Sequence, residues 1–109
     1  GPNFGPYAVA KTALLALVRQ YAIDLGHRGI RSNAINADRI RTKLFAAAVA
    51  EQRAQARGVS VDEYFRQNLL SREVTAEDVA QAFAHLAQVR ATTGCVLTVD
   101  GGNPAAFPR

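Results

Sequence analysis

Residues 7–25 constrain what this chain can fold into more than any other stretch. Val9, Ala10, Ala13, Leu14, Leu15, Leu17, Val18, Tyr21, Ala22 and Ile23 do not keep to one stripe; they run most of the way round a helix of about five turns. A helix that is apolar on nearly all sides is buried on more than one side. At 109 residues the chain makes one domain at most, with a modest core. Much of what surrounds this helix must therefore be sought in the rest of the sequence or beyond it.

Asn3-Phe4-Gly5-Pro6 reads as a loop, with Pro6 suited to a first helical position. Gly26 stops the helix and His27-Arg28-Gly29 makes the turn. Residues 30–36 are short, end in a polar residue and follow that tight turn, which suits a buried parallel strand. Residues 37–42 leave its carboxyl end, the place where ligands sit in open α/β sheets. A second helix is expected over 43–57, carrying Leu44, Phe45, Ala48 and Val49 and stopping at Gly58, with a strongly polar later half that projects into solvent.

Ser60-Val61-Asp62-Glu63 has the form of a capping box and opens a short helix carrying Tyr64, Phe65, Leu69 and Leu70. Thr75-Ala76-Glu77-Asp78 opens another, with two acids where the helix dipole favours them. Its core positions are Val79, Ala82, Phe83, Leu86 and Ala87, which leaves His85 at the rim. Residues 95–99 form the second strand, Asp100-Gly101-Gly102-Asn103 ends it, and 104–109 is a tail. The expected fold class is thus α/β, with two parallel strands joined by a right-handed crossover through helices. Two such strands are marginal alone, and parallel sheets are normally extended and covered on both faces. The missing cover is either upstream sequence or another chain.

Composition excludes several roles. The net charge of +4 is spread along the chain, without the interleaved aromatics of a strand-binding platform, so nucleic acid is not an expected partner. No stretch is long and apolar enough to span a membrane and no signal-peptide pattern is present. One cysteine, Cys95, rules out an internal disulfide and fits a reducing, cytoplasmic setting. No His, Cys or carboxylate set stands at ligand spacing around His27, so no metal is expected. The chain contains no methionine and is expected to be cut from something longer.

Tyr7-Ala8-Val9-Ala10-Lys11 is the stretch with a chemical use. Residues four apart share a helix face, so the Lys11 ammonium sits near the Tyr7 hydroxyl. A phenol is a poor acid or base at neutral pH, and a neighbouring cation favours its phenolate. Taken alone, the same pattern is also that of a helix-start aromatic followed by a solvated lysine.

Four stretches together resemble the C-terminal half of a short-chain dehydrogenase/reductase: Tyr7 through Lys11, Ile30-Arg31-Ser32-Asn33-Ala34-Ile35-Asn36, Thr42, and Thr93-Gly94 through Thr98-Val99-Asp100-Gly101-Gly102. Their order and spacing agree over almost the whole chain. The resemblance implies a helix-rich C-terminal half of a Rossmann-like doubly wound parallel sheet, with residues 1–109 a partial domain lacking its dinucleotide-binding half. It implies Tyr7 as general acid/base, and Lys11 as its partner and a ligand of the nicotinamide ribose. Ala37, Asp38, Ile40 and Thr42 fall where the family contacts the nicotinamide, so NAD or NADP is the implied cofactor. The family's Pro-Gly is Ala37-Asp38 here, which adds a carboxylate and restricts the backbone. Residues 36–41 and 99–103 look most like the dehydrogenase part of bifunctional rhamnulose-phosphate-type aldolase/dehydrogenases. Arg39 or Arg41 then faces an anionic substrate group, or else the two pair with Asp38, Glu51 or Asp62. Residues 43–72 correspond to the family's substrate lid.

The implied activity is hydride transfer between nicotinamide and an alcohol or carbonyl compound of sugar-derived type. The Gly-rich pyrophosphate turn, the catalytic Ser and the helix Asn of the family are not in this chain, so the chain alone is expected to be inactive. In the family the helix that begins at the Tyr packs between subunits, which implies a homo-oligomer through residues 7–25 with Leu14, Val18 and Tyr21 between chains. The competing expectation is a non-catalytic fragment or self-association module. A monomer in light scattering argues against that second role.

Overall fold

The computed structural model describes residues 5–42 and 47–107. Its elements are α1 (Gly5–Leu25), a 3-10 turn (Gly26–Arg28), β1 (Ala34–Ala37), α2 (Ala47–Ala56), α3 (Val61–Phe65), α4 (Ala76–Gln88), β2 (Val96–Val99) and a closing 3-10 turn (Pro104–Ala106). β1 and β2 pair in parallel, Ala34 opposite Val96 and Ala37 opposite Val99. This is the expected α/β arrangement of two parallel strands and four helices. The expected loop residues Asn3 and Phe4, the start of the second helix with Lys43, Leu44 and Phe45, and the tail residues Pro108 and Arg109 lie outside the described residues.

α1 has the length its apolar run predicts, and Gly29 closes the turn after it in the left-handed region, with φ 76° and its N–H donating to the Gly26 carbonyl. Burial differs from expectation, because no residue of α1 is buried. Leu15, Val18, Ala22 and Leu25 are half-buried at three- and four-residue spacing, which is one stripe. The opposite faces stay open, with Val9 70% and Ile23 74% exposed. A sheet of two strands is too narrow to cover more than one side of such a helix.

Both strands are shorter than expected. Residues 30–33 are stitched to the far end of the fold largely by side chains, with one backbone bond from the Gly94 N–H to the Ser32 carbonyl at 2.8 Å. Arg31 donates to the carbonyls of Leu86 at 2.8 Å, Ala87 at 3.1 Å and Thr92 at 3.4 Å. Asn33 donates to the Thr92 carbonyl at 3.0 Å and accepts from the Cys95 N–H at 3.0 Å. The Leu86 and Ala87 carbonyls belong to the last turn of α4, where backbone acceptors lack partners inside the helix and a cation is favoured. The ladder begins beyond these polar contacts, with Ala34 opposite Val96.

The buried cluster lies between α2 and α3, away from the sheet. Ala50, Ala54, Tyr64 and Phe65 form it, with Val59 and Val61 packed against them. Ala48 and Val49, expected as the apolar positions of α2, are exposed, and the side of α2 that carries Ala50 and Ala54 is the one turned inward. Its later half is therefore not simply solvated. α3 ends at Phe65, so Leu69 and Leu70 lie beyond it. Their N–H groups donate to the carbonyls of Gly102 at 2.9 Å and Gly101 at 3.0 Å, which ties the segment after α3 to the turn after β2. Gly101 has φ 69° and a side chain there would run into Asn68, so both conformation and space require glycine.

α3 starts at Ser60, whose hydroxyl accepts from the Glu63 N–H. α4 opens on a complete capping box. The Asp78 N–H donates to the Thr75 hydroxyl at 3.2 Å, and the Thr75 N–H donates to the Asp78 carboxylate at 2.9 Å. The Thr75 N–H, and with smaller effect the Thr75 hydroxyl, hold the Asp78 carboxyl below its ordinary 3.8. A depressed carboxyl contributes stability that is full above its unfolded value and is lost as pH falls through the folded one. Thr75→Ala should cost the roughly 1 kcal/mol typical of a lost helix cap. That variant keeps the backbone N–H that is the larger influence on Asp78, so most of the acid limb of the stability–pH curve should survive, whereas Asp78→Asn should flatten it below about pH 4. Urea unfolding at pH 7 and at pH 3 measures both, and an acid limb unchanged in Asp78→Asn would refute the assignment to Asp78. Among the described residues no helix is long and apolar enough to cross a membrane.

Candidate active site

α1 carries Tyr7 and Lys11 one turn apart, and the Lys11 Nζ lies 5.5 Å from the Tyr7 ring centroid. That is the juxtaposition an i, i+4 pair adopts on a helix. Tyr7 is 61% exposed and lines an open cleft of about 620 Å³ together with Asp38, Arg53, Arg57 and Tyr64. Three parts of the fold meet there: the start of α1, the segment leaving the carboxyl end of β1, and the α2–α3 region.

Of the residues expected to contact a cofactor, Lys11 stands beside Tyr7 and Asp38 shares its cleft. Ala37 is the last residue of β1, opposite Val99, and is exposed. Ile40 is half-buried and Thr42 exposed on the segment that follows. Ala37, Ile40 and Thr42 are not among the described residues lining the cleft. The structure thus gathers Tyr7, Lys11 and Asp38 and strings the other three along the strand exit.

The arginines are distributed differently from the sequence expectation. Arg39 adopts φ 52°, the left-handed region that costs a non-glycine residue of order 1 kcal/mol. Several contacts hold it there. Its guanidinium lies 4.6 Å from the Tyr64 ring centroid and donates to the Tyr64 carbonyl and to Gln67 Oε1, both at 3.1 Å, and its Nε is 3.7 Å from Asp38. Arg41 bonds Asp62 and Glu73, both at 2.9 Å, and lies 4.4 Å from the Phe65 ring centroid. The bonds to Glu73 and Asp62 hold its pKa above the ordinary arginine value. Arg39 and Arg41 are thus engaged in packing on Tyr64 and Phe65 and in ion pairs, the second of the two roles considered for them.

The arginines that do line the cleft are Arg53 and Arg57, from the end of α2 and the turn after it. Sequence reasoning placed them in a solvated helix half. The available signal was the four-residue spacing, which puts both on one side of α2. Among the described residues no group of three or more His, Cys, Asp or Glu could hold a metal ion.

The sequence profile of a family described as enoyl-(acyl carrier protein) reductase matches residues 1–103. An uncharacterised oxidoreductase of Bacillus subtilis is 36% identical over the whole of this chain, which corresponds to 17% of that protein. An NADH-dependent enoyl-acyl-carrier-protein reductase of Rhizobium meliloti is 41% identical over 93% of this chain and 36% of its own length. A solved short-chain dehydrogenase family protein from Francisella tularensis superposes with TM-score 0.77 at 26% identity, over 96% of this chain and 46% of that one. The chain belongs to the short-chain dehydrogenase/reductase family.

A small-chain dehydrogenase solved with NADPH also matches, with TM-score 0.74 at 26% identity over 92% of this chain and 43% of that one. Family members similar to this chain thus include an NADH-dependent enzyme and one that holds NADPH. The chain spans less than half the length of each of these short-chain dehydrogenase/reductase relatives and neighbours.

Proposed function

We propose that residues 1–109 are the C-terminal part of an NAD(P)-dependent oxidoreductase domain, with Tyr7 as the acid/base at an alcohol or carbonyl carbon. The observation that carries this reading is the placement of Tyr7, with Lys11 beside it one turn on, on the wall of a cleft at the carboxyl end of a parallel strand. That end of an open α/β sheet is where ligands bind. Family membership and the cofactors of similar family members support it.

The residues present fit a nicotinamide dinucleotide. Lys11 offers an ammonium for a ribose hydroxyl beside Tyr7. Ala37, Asp38, Ile40 and Thr42 follow the strand end, where backbone groups and the Thr42 hydroxyl can meet a carboxamide. When bound, the cofactor supplies or accepts the hydride. Tyr7 gives its hydroxyl proton to the carbonyl oxygen in reduction and takes it back in oxidation. Lys11 holds the phenol and the ribose in one hydrogen-bonded line. Tyr64, from α3, stands on the other wall of the cleft.

The finer form of the reading is the bifunctional sugar-phosphate aldolase/dehydrogenase type. Its support is a difference in size. The same segment is 17% of the Bacillus relative and 36% of the Rhizobium reductase, so the Bacillus protein is much the longer of the two, with room for a second activity. The test is a spectrophotometric assay at 340 nm on the full-length gene product and on the pure 109-residue chain. The full-length protein should oxidise or reduce nicotinamide with a small alcohol or carbonyl compound, and the chain alone should not. Turnover by the chain alone would sink the partial-domain reading.

A further inference from the structure

We infer that Arg53 and Arg57 make the cleft beside Tyr7 a site for substrates that carry an oxyanion, a carboxylate or a phosphate, on the far side of the reacting carbon. This rests on the oxidoreductase reading and specifies its substrate class. Among the described residues the cleft lining contains two guanidinium groups and one carboxylate, Asp38, and the carboxylate lies 3.7 Å from Arg39, a cation of its own. Cations thus outnumber carboxylates in the described lining. Its volume of about 620 Å³ suits a molecule of metabolite size.

Arg57 is held in place. Its guanidinium lies 5.2 Å from the Tyr64 ring centroid and donates one bond to the Arg53 carbonyl at 3.3 Å. A guanidinium has five N–H donors in a rigid fork that matches a carboxylate or phosphate, so that single bond leaves most of the Arg57 donors for a ligand. Arg53 stands one turn earlier on α2 and is half-buried, so its charge is only partly screened by water. Tyr7 reaches the same space from α1 on the opposite side in sequence. A substrate with its carbonyl at Tyr7 and its anionic group at the α2 arginines would be held at both ends. Two-point binding of that kind converts affinity into orientation at the reacting carbon.

The test uses the full-length protein and matched pairs: pyruvate against methyl pyruvate, and glyceraldehyde 3-phosphate against glyceraldehyde. The charged member should be preferred in kcat/KM, and whichever pair shows the larger preference identifies carboxylate or phosphate as the group bound. Arg53→Gln with Arg57→Gln should erase that preference, by about tenfold for each guanidinium removed. Arg53→Lys with Arg57→Lys keeps the charge and should retain most of it, which a purely structural role would not predict. Arg90→Gln, an exposed arginine outside the cleft, should change nothing.

Titration calorimetry with inorganic phosphate and with acetate provides a readout independent of turnover. Tyr7→Phe should bind these anions as the parent does while the double glutamine variant loses them. Equal anion affinity in the parent and the double variant overturns the inference, whether or not any of the four carbonyl compounds reacts. Loss of turnover in Tyr7→Phe with anion binding intact separates the two readings.

Discussion

Tyr7→Phe in the full-length protein should lower kcat by about 10²- to 10⁴-fold, the range that a positioned proton donor contributes. The substitution removes one oxygen from a side chain that is 61% exposed, so it empties no core and should leave the melting temperature close to the parent's. Coenzyme affinity should also survive, because Lys11 and the strand-exit residues remain. The expected pattern is therefore a fall in kcat with little change in coenzyme KM, the signature of an interaction made in the transition state. Turnover within a few-fold of the parent would remove Tyr7 from the proton-transfer role and with it the reason for its pairing with Lys11.

Phe65→Ala should have the largest effect on folding, about 3–5 kcal/mol by the usual cost of emptying a buried aromatic site. Phe65 is 2% exposed, and its ring meets that of Tyr64 edge to face at 5.2 Å between centroids. Its neighbours cannot easily close the gap. Ala50 and Ala54 are already the smallest side chains that can pack there, and Arg41 lies over the ring with its charge tied to Asp62 and Glu73. Domain stability is commonly about 5–15 kcal/mol in total, so this loss should release the lid and expose Tyr64. Urea unfolding monitored by tyrosine fluorescence reads it directly. A loss under about 1 kcal/mol would mean that the lid is held from elsewhere.

The features legible in the sequence were those that depend on near neighbours. The apolar run of α1, the glycine turn at 29, and the caps at Ser60 and Thr75 all rest on residues within four positions of one another. The cleft residues Tyr7 and Asp38 were visible through spacing and position at a strand end. What was not legible depends on distant partners. Arg31 and Asn33 act on groups 55 to 62 residues away, so the strands began later than their apolar character suggested. The inward face of α2 is fixed by two alanines while the larger Val49 is 37% exposed, an inversion that hydrophobicity alone cannot anticipate. Arg53 and Arg57 looked solvated for the same reason: the second wall of their cleft is a helix some 45 positions upstream.

The clamp made by Arg31 and Asn33 bears on how such a sheet is assembled. Strand alignment in most sheets is selected by matching apolar faces, which allows neighbouring alignments to compete until the whole layer is in place. Here guanidinium and amide groups that grip one helix end and one loop add a second, polar determinant of the alignment. A slip by one residue would break those bonds as well as turn the apolar side chains to the wrong face, so neighbouring alignments are penalised twice. Contacts over so many intervening residues form slowly. Their return is a strand pair whose phase does not depend on hydrophobic matching alone.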